Sequence, residues 1–295
     1  MQGRFGDVVT AMITPFTDDG ALDVDGAAAL VAHLLAHGND AVVVSGTTGE
    51  SPTLTHAEKL DLFRAAVDAA AGRGKIVAGT SSYDTAASVR LTEDATAAGV
   101  DGILAVTPYY NRPPQRGIAA HFSAIADATD KAVLLYDIPG RTGATIAIDT
   151  YVALAAHPRI VGVKDATGSP GHVAEVIGAC GDAFEVYSGD DAMTLPFLAM
   201  GACGVVSVAG HLAAAQIGEM IRAFDSGDVA GARKIHMELL GLFRILFADS
   251  SPIPVKAAVA MAGLPAGPVR PPLAPIEDDF AAELREVVAP FLGGV

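Results

Sequence analysis

AHGNDAVVVSG (36–46), AAGVDGILAVT (97–107) and AMGACGVVSVA (199–209) are one phrase written three times. Each begins in an alanine-rich stretch, stops at a glycine, spends two residues, and enters a run of apolar, largely β-branched side chains. Glycine is the usual left-handed stop of a helix. A short run that is apolar on every residue is a strand covered on both faces, as in a parallel sheet. Helix, stop and buried strand, repeated, make successive copies of a βα unit.

Working outward from these three junctions, five further apolar runs share the same bounds: DVVTAMITPF (7–16), KIVAGT (75–80), KAVLLYDIP (131–139), IVGVKDA (160–166) and FEVYSGDD (184–191). Helical spacing fills the gaps, as in HAEKLDLFRAAVDAAAG, where Thr55 with Glu58 forms a capping box that opens the helix. Eight strands, each followed by a helical pattern, predict a (β/α)8 barrel of the TIM type with its catalytic groups at the C-terminal strand ends. A doubly wound open sheet is the alternative, but no GxGxxG follows the first strand and there is no P-loop. From about residue 212 the chain reads as helical, giving the eighth barrel helix and then a C-terminal helical extension. Residues 1–225 are expected to form the barrel and 226–295 the extension packed on it, as a single structural unit.

Composition narrows the function. Apolar residues make up 51% of the 295 and charged residues 18%, the profile of a packed globular protein. A formal net charge of −15 repels phosphate backbones, so nucleic acid is an unsuitable partner. Cys180 and Cys203 match no CxxC pattern and read as small core hydrophobes. No apolar stretch reaches membrane-spanning length, and the N-terminal MQGRFGDVVTAM lacks the layout of a signal peptide. The expected location is the cytoplasm, with no membrane partner. Of the eight histidines only His33 and His37 have helical ligand spacing, and they sit beside a helix stop; no metal site is expected.

The strand ends, read in order, offer Thr14, the Ser45–Glu50 loop, Thr107 to Tyr110, Tyr136 with Arg141 beyond it, Lys164, Ser188 to Asp191, and Ser207. Among six lysines only Lys164 interrupts an apolar strand near its C-terminal end. Two readings stand: a structural lysine paired with Asp165 or Asp190, or a neutral amine that attacks carbonyls and forms a Schiff base. The neighbours favour the second. Tyr136, on the adjacent strand, suits proton transfer to an imine. The Gly46-Thr47-Thr48-Gly49 turn offers hydroxyls and amides for a carboxylate, and Arg141 offers a bidentate clamp for another.

The stretches GTTGESPTL (46–54), TPYYNRPPQRG (107–117), YDIPGRTG (136–143), VGVKDATG (161–168), YSGDD (187–191), GVVSV (204–208) and SPIPVK (251–256) together resemble the dihydrodipicolinate synthase / N-acetylneuraminate lyase family of pyruvate-dependent class I aldolases. They fall in family order over essentially the whole chain. The resemblance implies that Lys164 forms an imine with pyruvate and Tyr136 is the general acid/base. Thr47 and Tyr110 would complete a proton relay, with Tyr110 reaching in from a neighbouring subunit. Thr48 would hold the pyruvate carboxylate, the Val206 backbone and Gly189 would line the pocket, and Arg141 would hold the carboxylate of the incoming aldehyde. No cofactor and no metal is implied. The trans role of Tyr110 requires at least a dimer, and the family suggests a homotetramer, a dimer of dimers.

Within the family, the doubled threonine and the GRTG arginine favour the synthase branch. That branch condenses pyruvate with L-aspartate 4-semialdehyde to 4-hydroxy-tetrahydrodipicolinate, in diaminopimelate and lysine biosynthesis. The arginine suits an aldehyde that carries its own carboxylate. N-acetylneuraminate lyase or a 2-keto-3-deoxy sugar-acid aldolase is the runner-up, and a keto-acid-binding sensor barrel is the reading outside catalysis. Asp137 and Ser251 depart from the family pattern, each standing where asparagine is common. Tyr83 and Ala87 occupy positions where lysine-inhibited members carry an amide and a carboxylate, although His56 matches. The expectation is weak or absent inhibition by lysine.

Overall fold

The computed structural model describes residues 3–294; Met1, Gln2 and Val295 lie outside them. Eight parallel strands close into a barrel in sequence order: β1 (Val8–Ala11), β2 (Ala41–Val44), β3 (Lys75–Gly79), β4 (Gly102–Val106), β5 (Ala132–Asp137), β6 (Ile160–Asp165), β7 (Glu185–Ser188) and β8 (Gly204–Ser207). Around it run α1 (Val24–Ala36), α2 (His56–Ala70), α3 (Thr85–Ala97), α4 (Gln115–Asp127), α5 (Pro139–Thr142), α6 (Ile148–Ala155), α7 (Pro170–Cys180), α8 (Thr194–Leu198) and α9 (Gly210–Asp225). Three further helices, α10 (Val229–Ile245), α11 (Ile253–Met261) and α12 (Asp278–Val288), follow the barrel.

The junctions that predict the fold behave as their residues require. Gly38, Gly99 and Gly201 have φ of +98°, +90° and +105°, left-handed values that end the preceding helix at little cost only without a side chain. Thr55 and Glu58 close the capping box at the start of α2. The first apolar run is shorter as a strand than its sequence suggests. β1 ends at Ala11, and the Ile13 N–H is taken by Nε2 of His211 at 3.1 Å instead of a strand. Pro15 has no N–H to offer a ladder, and Phe16 then bridges to Leu22 outside the barrel.

Alternation along the strands sorts the barrel into two cores. Val9, Ala11, Val43, Val77, Leu104, Leu134, Tyr136, Tyr187 and Val206 fill the interior. Val8, Val42, Ile76, Ile103, Leu135, Val163 and Val205 pack outward beneath the helices. This parity sends Tyr136 and Lys164 inward, and Asp137 and Asp165 outward. Among the described residues no helix is long and apolar enough to cross a membrane.

Candidate active site

Lys164 is the penultimate residue of β6, in register with Tyr136 on β5 and Tyr187 on β7. Inward parity at that height puts its ammonium at the upper end of the barrel interior, where it is 5% exposed. Nζ lies 4.4 Å from the centroid of the Tyr136 ring. Burial lowers the Lys164 ammonium to about 8, the charge of Arg141 pushes the same way, and Asp191 opposes them. Burial also pushes the Tyr136 phenol up to about 12, against the Arg141 charge and a hydrogen bond with Thr47. Near neutral pH the pair is therefore an amine with an appreciable neutral fraction beside a phenol that keeps its proton.

Asp165 and Asp190 do not pair with Lys164. Asp165 faces outward and accepts from the backbone N–H and hydroxyl of Thr167, at 2.9 and 2.7 Å. Asp190 accepts from the Ala192 N–H at 2.9 Å. The carboxylate whose charge reaches the amine is Asp191, which sequence reasoning passed over. It is 2% exposed, accepts from the Ser207 hydroxyl, and accepts from the Val208 and Ala209 N–H groups at 3.0 Å each.

Gly189 follows β7 at the flank of the lysine. A Cβ there would stand 2.9 Å from Ala166 Cβ, 3.0 Å from the Asp165 carbonyl and 3.1 Å from Lys164 Cε. The missing side chain is the room in which the lysine stem lies.

Over the mouth sits a cleft lined by Ser45, Gly46, Thr47, Gly79, Val106 and Tyr136 among others. An adjoining recess shares Thr47 and Tyr109 and reaches Ile138 and Arg141; a further one runs from Arg141 past Gly189 and Asp190 to Phe243 of α10 and Phe247 just beyond it. Arg141, on the short α5, donates from Nη2 to the Ser251 carbonyl at 3.3 Å. Thr48 is buried beside Thr47, and Val206 is buried on β8 with its side chain inside the barrel. Tyr136, Lys164, Thr47, Arg141 and Gly189 thus come together at one mouth. Tyr110 does not join them within one chain: it is 92% exposed, with φ of +68°. Its neighbours Tyr83 and Tyr109 stack edge to face at 5.4 Å, and Tyr83 is 55% exposed.

Among the described residues no group of three or more His, Cys, Asp or Glu side chains is placed to hold a metal ion. Lys164, Tyr136 and the threonines suit covalent chemistry on a carbonyl, with proton transfer at its oxygen and at the adjacent carbon.

Residues 4–290 match the model of the dihydrodipicolinate synthetase family. The chain is 49% identical over 287 residues to the 4-hydroxy-tetrahydrodipicolinate synthase of Moorella thermoacetica, covering 96% of this chain and 98% of that one. Among solved structures it resembles the dihydrodipicolinate synthase of Bacillus anthracis, with a TM-score of 0.95 and 45% identity over 98% of this chain and 99% of that one. It also resembles the synthase of Cyanidioschyzon merolae crystallised with lysine bound, with a TM-score of 0.96 and 44% identity over 99% of both chains.

Proposed function

The chain belongs to the dihydrodipicolinate synthetase family, and from that premise we propose how its barrel mouth carries out the synthase reaction. The enzyme is a Schiff-base aldolase that condenses pyruvate with L-aspartate 4-semialdehyde to 4-hydroxy-tetrahydrodipicolinate. With about half the residues shared with such synthases along nearly the whole chain, the sugar-acid and sensor readings are not retained.

Lys164 is the nucleophile. Its neutral amine adds to the pyruvate keto carbon, and loss of water leaves an imine that acts as an electron sink. Loss of a methyl proton then gives an enamine, whose carbon attacks the aldehyde. Release requires another amine to take the place of the lysine nitrogen, and the substrate's own amino group does so in closing the ring. Tyr136 moves protons at the carbinolamine and at the new hydroxyl, with Thr47 as its hydrogen-bond partner. Thr48, Gly189 and the Val206 backbone border the pyruvate, Thr48 on its carboxylate. Arg141 holds the carboxylate of the aldehyde. The observation that carries these roles is the buried Lys164, lowered to about 8 against the ring of a Tyr136 that keeps its proton.

The exposed Tyr83 and Tyr110, beside the half-buried Tyr109, support a second copy docking on this face, with Tyr110 entering the partner's mouth. The assembly is a homotetramer, a dimer of dimers. Kinetics test the roles. Arg141→Ala is expected to raise KM for aspartate semialdehyde far more than KM for pyruvate. Equal effects on both substrates would remove Arg141 as the aldehyde clamp.

A further inference from the structure

One buried charge pair stands outside the machinery just described. Lys256, on α11 of the extension, is 2% exposed, and its Nζ lies 2.6 Å from Oε1 of Glu50, also 2% exposed. The other oxygen of Glu50 accepts from the Arg270 backbone N–H at 2.8 Å. The Arg270 guanidinium continues to the Gly20 and Thr53 carbonyls at 2.9 Å and to both oxygens of Glu58, at 3.1 and 2.5 Å. Lys256 and Arg270 both lie over the Phe16 ring, at 4.0 and 4.1 Å. Both oxygens of Glu50 therefore end on residues that follow the barrel. Burial lowers the Lys256 ammonium, and Glu50 pulls it back up. Buried ion pairs are poor stabilisers, because desolvation consumes most of the Coulombic gain. Stability alone does not account for this one.

Glu50 closes the loop that bears Thr47 and Thr48, and that loop is strained. Ser45 and Glu50, at its two ends, take φ of +57° and +53°. A left-handed conformation costs a non-glycine residue about 1–2 kcal/mol. Such conformations persist only where the surroundings over-determine them. Within the loop the Glu50 N–H reaches the Thr47 carbonyl at 3.1 Å and the Ser51 N–H reaches the Gly46 carbonyl at 3.2 Å. Below it the Thr14 hydroxyl donates to the Gly49 carbonyl at 2.7 Å. From outside the barrel, Lys256 and Arg270 hold its end.

We propose that Glu50, Lys256 and Arg270 form a clamp by which the helical extension fixes the Gly46–Glu50 turn, and with it the positions of Thr47 and Thr48 over Lys164. The three are positioning residues, and the extension is a working part of the active site. This deepens the reading of Thr47 and Thr48 given above and rests on it.

A comparison of wild type, Lys256→Met and Glu50→Gln/Lys256→Met tests the clamp. Lys256→Met strands a buried carboxylate and is expected to lower Tm. The double variant removes both charges while keeping an acceptor for the Arg270 N–H, and is expected to regain most of that loss. Steady-state kinetics and trapping of the pyruvate adduct are measured well below each protein's own Tm, so that unfolding does not enter. With the Lys256 arm of the clamp gone, kcat/KM for pyruvate falls roughly 10–100-fold in both variants, mostly through KM, because the threonines are displaced. Pyruvate kinetics within twofold of wild type in the double variant would make the pair structural only and overturn the clamp. Failure of the underlying reading looks different: the wild-type protein itself would then give no adduct at Lys164, before any variant is compared.

Discussion

Raising the pH perturbs Lys164 without touching the sequence. Burial and the Arg141 charge bring its ammonium from an ordinary 10.5 to about 8. At pH 7 an amine at about 8 is roughly 9% neutral and one at 10.5 roughly 0.03%, a gain near 300-fold in nucleophile, equivalent to about 3 kcal/mol. With subsaturating pyruvate and cyanoborohydride, the initial rate of adduct formation, followed by intact-protein mass, should climb about tenfold per pH unit from pH 6 to 7.5. It should bend near 8 and level off by about 9. Tyr136, up at about 12, keeps its proton throughout, so no falling limb interrupts the plateau below pH 10. The same shift has a sign in stability. Between about 8 and 10.5 the unfolded chain holds a proton at Lys164 that the folded chain has released, so this residue's contribution to stability grows as pH rises through that window. A trapping rate still rising tenfold between about pH 9 and 10 would mark an ordinary lysine and refute the burial argument.

Gly189→Ala would press a methyl to within 2.9–3.1 Å of Ala166, the Asp165 carbonyl and the Lys164 stem, and is expected to cut kcat/KM roughly 10–100-fold; activity within twofold of wild type would show that the lysine has room to spare. Asp137 and Asp165, register partners buried beneath α6 and α7, are both pushed up, chiefly by burial. A raised carboxyl loses stability as pH climbs from 3.8 through its folded value, so Asp137→Asn, which puts an amide where Oδ1 has no partner, should raise Tm at about pH 8 by a few degrees and flatten its pH dependence. A lower Tm there would contradict this. Lysine at millimolar concentration is expected to leave the rate almost unchanged, since Tyr83 and Ala87 supply neither amide nor carboxylate; half-inhibition below millimolar, in a steady-state titration, would overturn it.

Much of this was legible in the chain because local chemistry set it. The three glycine junctions need a left-handed residue wherever they occur, and continuous apolar runs need two covering layers, so the barrel followed from short windows. Lys164 was legible for the same reason, as a charge interrupting a buried strand. What short windows could not supply was pairing across distance. Glu50 lies within GTTGESPTL and Lys256 within SPIPVK, yet nothing in either stretch says that they meet 206 positions apart. Nor could SGDD say which of its two carboxylates reaches the amine; the turn after β7 gives Asp190 to its own backbone and sends Asp191 to β8. Tyr110 marks the other limit, since the role proposed for it, in the mouth of a second copy, has no geometry within one chain.

The central assignment is that the amine of Lys164 is the one that takes pyruvate. Borohydride reduction in the presence of pyruvate, followed by peptide mapping of the modified protein, tests it most directly. One reduced pyruvyl group, carried by Lys164 and lost in Lys164→Met, is the expected result. An adduct on Lys59, Lys256 or another amine, or no adduct at all in a protein that still turns over, would contradict it.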